Sequence, residues 1–170
     1  GQEEAKKTLS FVFYLHLLRT ERIKPFILQS TKGEKIDINY SDLPKPNVLL
    51  CGPTGSGKTF IIKTLCQMFD VPFVKVDCAS LVSSGYVGNN LNTAFRQLLE
   101  KASNIYEAEK GIIYFDEIDK ISEGNIGRSG SVGGTELQQE FLTALEDKER
   151  VVYSNKDGKK DSQTINTENI

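Results

Sequence analysis

Gly52-Pro53-Thr54-Gly55-Ser56-Gly57-Lys58-Thr59 decides the reading of this chain. The octapeptide satisfies the phosphate-loop pattern G-x-x-x-x-G-K-[ST], and its flanks are the ones that pattern requires. Val48-Leu49-Leu50-Cys51 is an apolar run that predicts the first parallel strand, and the apolar residues from Phe60 to Phe69 predict the helix after the loop. Glycines let consecutive backbone N–H groups turn toward one anion, and a helix N-terminus adds partial positive charge. Lys58 is expected to reach the β- and γ-phosphates of ATP, and the Thr59 hydroxyl to ligate Mg²⁺. The expected nucleotide-binding set is Gly52, Pro53, Thr54, Gly55, Ser56, Gly57, Lys58 and Thr59, with Phe60 next along the helix.

A second stretch completes the expected site. Ile112-Ile113-Tyr114-Phe115-Asp116-Glu117 is an apolar strand pattern ending in two carboxylates, about one strand–helix–strand unit after the loop. In phosphate-loop NTPases the first acid at this place holds Mg²⁺, often through water, so Asp116 takes that role. Glu117 is placed to polarise the attacking water as a general base. An acidic surface turn after a strand would read the same way in isolation; the complete phosphate loop upstream favours the catalytic reading.

The remaining composition narrows the class. The chain has 170 residues, enough for one domain with a sizeable core. With 21 basic and 23 acidic residues, a net charge of -2 gives no reason to expect a nucleic-acid or membrane surface. Cys51, Cys66 and Cys78 form no CxxC pair, which predicts three buried thiols in a reducing compartment. His16 is the sole histidine, so a histidine-based catalytic or metal cluster is excluded within this chain. No apolar stretch is long enough to span a bilayer, and the acidic start lacks a signal-peptide pattern.

Around the motifs, alternating elements are expected. Glu3 to about Arg22 predicts a helix, with Leu9, Val12, Phe13, His16 and Leu17 at helical spacing. A connector with a short hairpin around Lys32-Gly33 leads to Pro44-Lys45-Pro46. Phe73-Val74-Lys75-Val76-Asp77 predicts a second strand, residues 90–110 one helix, and Ile112–Phe115 a third strand covered on both faces. A Gly/Ser-rich segment at 123–134, expected to be mobile, precedes a helix from about Glu136 to Asp147. Val151-Val152-Tyr153 and the turn Asn155-Lys156-Asp157-Gly158 predict a hairpin, and the end from Lys159 is polar. Strand–helix alternation makes this an α/β domain with a parallel sheet.

The motifs together resemble the AAA+ superfamily, and most closely the ClpX family of protein-unfolding ATPases. Four stretches carry the likeness: Gly1–Lys7, Gly52–Thr59, Gly85-Tyr86-Val87-Gly88 and Gly111–Ile121. The phosphate loop is common to many ATPases; Gly-Tyr-Val-Gly is far narrower, shared with the HslU relatives. HslU proteins carry a large insertion between that tetrapeptide and the Asp-Glu strand, whereas here the connection suffices for one helix. The resemblance implies a three-layer phosphate-loop fold around a central parallel sheet, with residues 1–170 forming an incomplete large AAA+ subdomain that stops before the sensor-1 strand. It implies ATP and Mg²⁺ as cofactors and a homo-hexameric ring in the full-length protein. Tyr86 and Val87 would grip client polypeptides in the pore and thread them toward a ClpP-type peptidase. Tyr offers a large, sequence-tolerant apolar contact, and flanking glycines let a loop swing.

This chain departs from the family pattern in places. Asn89-Asn90 stand where acidic residues usually follow the pore tetrapeptide. The second pore loop keeps Gln138-Gln139 but not the usual residues before them, and Lys159-Lys160 is either a divergent substrate-entry loop or a solvated turn. On the same resemblance the arginine finger, the small helical domain and the zinc-binding domain lie outside the chain, so the piece alone should hydrolyse ATP very poorly. Bacterial cytoplasm or an organelle matrix is the expected location. The rival expectation is a nucleotide-switched assembly or loading factor that uses the same ATP site without threading a polypeptide.

Overall fold

A computed structural model gives the structure of the protein and describes residues 2–23, 43–83, 87–123, 133–146, 149–156 and 159–170. The predicted Lys32-Gly33 hairpin, Tyr86 and the stretch 124–132 lie outside these residues. The chain divides into two compact units, Gly1–Leu65 with Asn169, and Cys66–Glu168 with Ile170.

In the first unit, α1 (Glu3–Arg19) buries Leu9, Phe13, His16 and Leu17 along one face. Their i, i+4, i+7 and i+8 spacing is what a one-sided apolar stripe needs. His16 belongs to this buried face, its ring 6.1 Å from that of Phe13. The helix ends three residues before the expected Arg22. Thr20 caps it, its hydroxyl donating to the His16 carbonyl at 2.7 Å, and Glu21 follows at φ 56°, a left-handed turn of the kind that terminates helices. Arg19 Nε donates to Asn169 Oδ1 at 3.2 Å.

Val48–Cys51 is not a strand. Among the described residues no strand forms a ladder with it, and Leu49 is 72% exposed. An extended run needs a partner to take its N–H and C=O groups, so hydrophobicity alone does not create a strand. Cys51 is correspondingly exposed, whereas Cys66 and Cys78 are buried as expected, and all three thiols are free. After the loop, α2 (Lys58–Met68) continues into the second unit.

The second unit is built on β1 (Phe73–Asp77) and β2 (Ile112–Asp116), which pair in parallel from Phe73↔Ile112 to Asp77↔Asp116. The crossover runs through α3 (Cys78–Ser83), α4 (Val87–Lys101) and α5 (Ile105–Ala108). One helix was expected over 90–110. Asn104 divides it: the side chain accepts the Glu107 N–H at 2.9 Å and so caps a new helix, α5. Leu91, Ala94, Phe95 and Leu98 of α4 are buried, and Leu98 and Phe95 pack with Val74 in the main core. Gly111 sits in a tight space just before β2, where a Cβ would lie 2.6 Å from Leu98 Cδ1 and 3.0 Å from the Pro72 carbonyl oxygen. β2 is only half-buried along its length, not covered on both faces.

After β2 come α6 (Lys120–Glu123) and α7 (Gly133–Glu146), which starts three residues before the expected Glu136. Phe141 of α7 meets Phe115 edge-on, ring centroids 4.6 Å apart, beside buried Cys78, Leu91 and Ile121. The hairpin is longer than the sequence suggests. β3 (Glu149–Lys156) and β4 (Lys159–Asn166) pair antiparallel as far as Lys156↔Lys159, leaving Asp157-Gly158 between them. Asp-Gly is the dipeptide that two-residue hairpin connections favour. Lys159-Lys160 therefore opens a strand rather than a solvated turn. β4 is polar in sequence, yet Ile165 is fully buried and joins Val152 in the main core. Arg150, paired with Ile165, holds its guanidinium 5.1 Å from the Phe95 ring centroid and donates to Asn92 Oδ1 at 3.3 Å.

Candidate nucleotide site

The loop after Cys51 is shaped by its own backbone. Gly55 and Gly57 take φ +77° and +85°, the left-handed region that only glycine enters without strain. The Ser56 N–H donates to the Pro53 carbonyl at 3.3 Å, tightening the turn, and the Ile61 N–H donates to Gly57 as α2 begins. α2 starts at Lys58, so the loop delivers the chain directly to a helix N-terminus, where the first backbone N–H groups have no intrahelical partner.

Side chains complete a cradle suited to a phosphate chain. Lys58 Nζ donates to the Gly52 carbonyl at 2.8 Å and to the Pro53 carbonyl at 3.0 Å, which holds the ammonium over the loop. Ser56 Oγ is buried with no hydrogen-bond partner among the described residues, a donor in the position an anion needs. Thr59 lies in the first turn of α2, and Phe60 is exposed on it. These features fit a nucleotide phosphate. By resemblance Gly1-Gln2 was expected to line the adenine pocket, but its contact with the loop was not foreseen: at φ 68° the Gln2 amide Nε2 donates to the Ser56 carbonyl at 2.6 Å, tying the start of α1 to the loop. Nothing in the local pattern connects residues so far apart in sequence.

The carboxylate pair sits at the C-terminal end of the parallel sheet, the end where α/β folds place their ligands. Asp77 and Asp116 are partners in register there. Asp77 caps α3, its two oxygens accepting the Ala79 N–H at 3.0 Å and the Ser80 hydroxyl at 2.7 Å. The Ser80 hydroxyl is the main reason its carboxyl is held below the ordinary range. Asp116 Oδ2 is ion-paired to Lys75 Nζ at 2.7 Å. Asp116 Oδ1 accepts the Glu117 N–H at 3.2 Å and the Tyr114 hydroxyl at 3.4 Å. The Lys75 ammonium holds the Asp116 carboxyl below the carboxylate range, and the same hydrogen bond raises the Lys75 pKa. Lys75 pairs with Tyr114 across the ladder, so it lies diagonally from Asp116 on one face, within reach of a long side chain. A lysine in an apolar strand was visible in the sequence; its partner was not, because the register had to be known first.

Glu117, the expected base, is exposed and sits at φ 56°, a conformation that costs a non-glycine residue about 1 kcal/mol or more. The strand stops there, and the Lys120 N–H returns to the Glu117 carbonyl at 2.9 Å. Behind this edge, burial pushes the Cys78 thiol up to about 12, with Asp77, Asp116, Asp119 and Glu117 adding to the rise. Val87 is the first residue of α4. The described residues contain no cluster of three or more metal-ligating side chains. Among them, no helix is long and apolar enough to cross a membrane.

Comparison of the sequence with known proteins identifies a family. Residues 48–165 match the model for the ATPase family associated with various cellular activities (AAA). The ATP-dependent Clp protease ATP-binding subunit ClpX 2 of Wolinella succinogenes is 40% identical over 149 residues, covering 86% of this chain and 34% of that protein. The chain thus spans about a third of the length of this curated relative. The phosphate loop and the carboxylate-tipped strand both fall inside the matched region, and the α/β phosphate-loop fold follows from the match: the chain belongs to the AAA family of ATPases.

Proposed function

We propose that this chain is the large ATPase subdomain of a ClpX-like protein unfoldase, and that it binds ATP with Mg²⁺ and hydrolyses it. The observation that carries this reading is the phosphate loop: left-handed Gly55 and Gly57, the Lys58 ammonium over the loop carbonyls, and the unpartnered Ser56 hydroxyl. Lys58 would bind the β- and γ-phosphates and neutralise charge as it develops. Thr59 and Asp116 are the residues that would hold Mg²⁺, which would supply positive charge to offset that of the phosphates. Glu117 would take a proton from the attacking water, and its exposure leaves the carboxylate open to solvent.

The threading role rests on the Gly85–Gly88 tetrapeptide and on the kinship with ClpX 2. Tyr86 and Val87 would contact the client polypeptide, in a full-length hexamer that feeds a ClpP-type peptidase in a bacterial cytoplasm or an organelle matrix. The test is ATP-driven unfolding of a tagged fluorescent protein by the full-length protein, wild type against Tyr86→Ala, with ATPase followed in parallel. Loss of unfolding with ATPase retained is the expected result. Equal unfolding by both proteins would remove Tyr86 from the role. Active ATPase with no unfolding of several substrates by wild type would overturn the unfoldase reading.

A further inference from the structure

We infer that Lys75 is a positioning residue that sets how readily Asp116 engages Mg²⁺, by holding the carboxylate in an ion pair that the incoming cation must share or displace. The inference rests on the reading of Asp116 as the Mg²⁺ carboxylate. Its independent support is the bonding of that carboxylate. A carboxylate offers about four lone-pair directions. Oδ1 accepts from the Glu117 N–H and the Tyr114 hydroxyl, and Oδ2 accepts from Lys75 at 2.7 Å. Among the described residues, every neighbour that holds Asp116 is a donor, and the strongest is a full positive charge.

The consequence follows from charge. Alone, Asp116 presents -1 to a divalent cation; paired with Lys75, it presents a neutral unit whose positive end lies beside the approach. Asp77 and Glu117 supply negative charge at the same edge, and Lys75 offsets part of it. The Lys75 side chain is about half exposed, so it can swing aside as well as hold. Lys75 thereby makes Mg²⁺ loading an exchange of partners rather than a simple docking, and ties the carboxylate's position to β1 when no cation is present.

The experiment is Mg²⁺ titration of labelled-ATP binding to the full-length protein, read by fluorescence anisotropy at fixed nucleotide. Wild type is compared with Lys75→Met, Lys75→Gln, Lys75→Arg and Asp116→Asn. Removing the ammonium should lower the Mg²⁺ concentration at half-maximal effect by roughly two- to fivefold, the range expected of a partly exposed ion pair. Lys75→Arg should stay near wild type, and raising the salt should shrink the difference. Asp116→Asn should raise the Mg²⁺ requirement whatever occupies position 75. If Asp116→Asn shifts the curve and neither neutral Lys75 variant does, the inference is overturned and the assignment of Asp116 stands. If Asp116→Asn leaves the curve unmoved, the assignment itself fails, and the inference with it.

Discussion

Val48–Cys51 and Ile112–Phe115 are both short apolar runs leading into a chemical motif, yet only the second is a strand. The difference lies in what each run meets. Ile112 begins a ladder with Phe73, and its N–H is taken by the Pro72 carbonyl at 2.8 Å. Leu98 closes over that start, so tightly that a Cβ at residue 111 would have to push its methyl groups aside. Val48–Cys51 finds no ladder among the described residues, and Leu49 stays exposed. A strand is a property of a pair, and an apolar run is only an offer of one.

Thiol chemistry offers the largest test of this contrast. Burial holds Cys66 and Cys78 at about 12, so near pH 8 only about one thiol in ten thousand would be ionised even if reached. Cys51, at the end of the unpaired run, is exposed. A thiol-reactive dye at pH 8 should label Cys51 within minutes, and the other two at least a thousandfold more slowly until the protein is unfolded. Protection of Cys51 in the full-length protein would mean that the run acquires a partner there, and the contrast would narrow.

Lys58→Ala comes next. It removes the ammonium from the loop that the unpaired run feeds, and ATP affinity should fall on the order of 100-fold by fluorescence titration. The melting of the β1–β2 unit should not change, because Lys58 bonds only loop carbonyls. A coincident loss of stability would show that the loop supports the fold. Leu98→Ala should do the reverse, destabilising by about 3 kcal/mol in denaturant melts, as truncation of a fully buried leucine does. Leu49→Ala should cost less than about 0.5 kcal/mol. Equal effects at the two positions would erase the distinction between the runs.

The smallest effect is the ion pair at the end of β2. A double-mutant cycle on Lys75 and Asp116 should give roughly 0.3–1 kcal/mol, since both side chains are partly exposed. The Asp116 carboxyl is depressed from 3.8, so its contribution is present above that value and lost as pH falls through the lower folded value. The Lys75 ammonium is raised from 10.5, so its share is present below that value and lost as pH rises through the higher folded one. Coupling that stayed constant through the acid range would rule out an ionic origin.

The parts legible in the sequence were those set by neighbours along the chain. Gly55 and Gly57 dictate the loop whatever surrounds it, and Leu91, Phe95 and Leu98 announce one face of a helix. What escaped depended on distant partners. The polar strand β4 is recruited by its pairing with β3 and anchored by one buried residue, Ile165. The helix break at Asn104 is local but shows only as one polar side chain in an otherwise continuous pattern. Gln2 on Ser56 and Lys75 on Asp116 both join residues brought together by folding alone. The motifs at the site were readable; the groups that hold them in place were not.

The two sheets would also respond differently to mechanical load. In the hairpin, Glu149 and Asn166 face each other at one end of the ladder, so tension between them peels the rungs apart in succession. In the parallel pair, the start of β1 and the end of β2 lie at opposite ends. A pull between Phe73 and Asp116 therefore drags the strands past one another, and every rung resists in shear at the same time. Force entering at the carboxylate tip of β2 would meet the stiffest direction that this small sheet possesses.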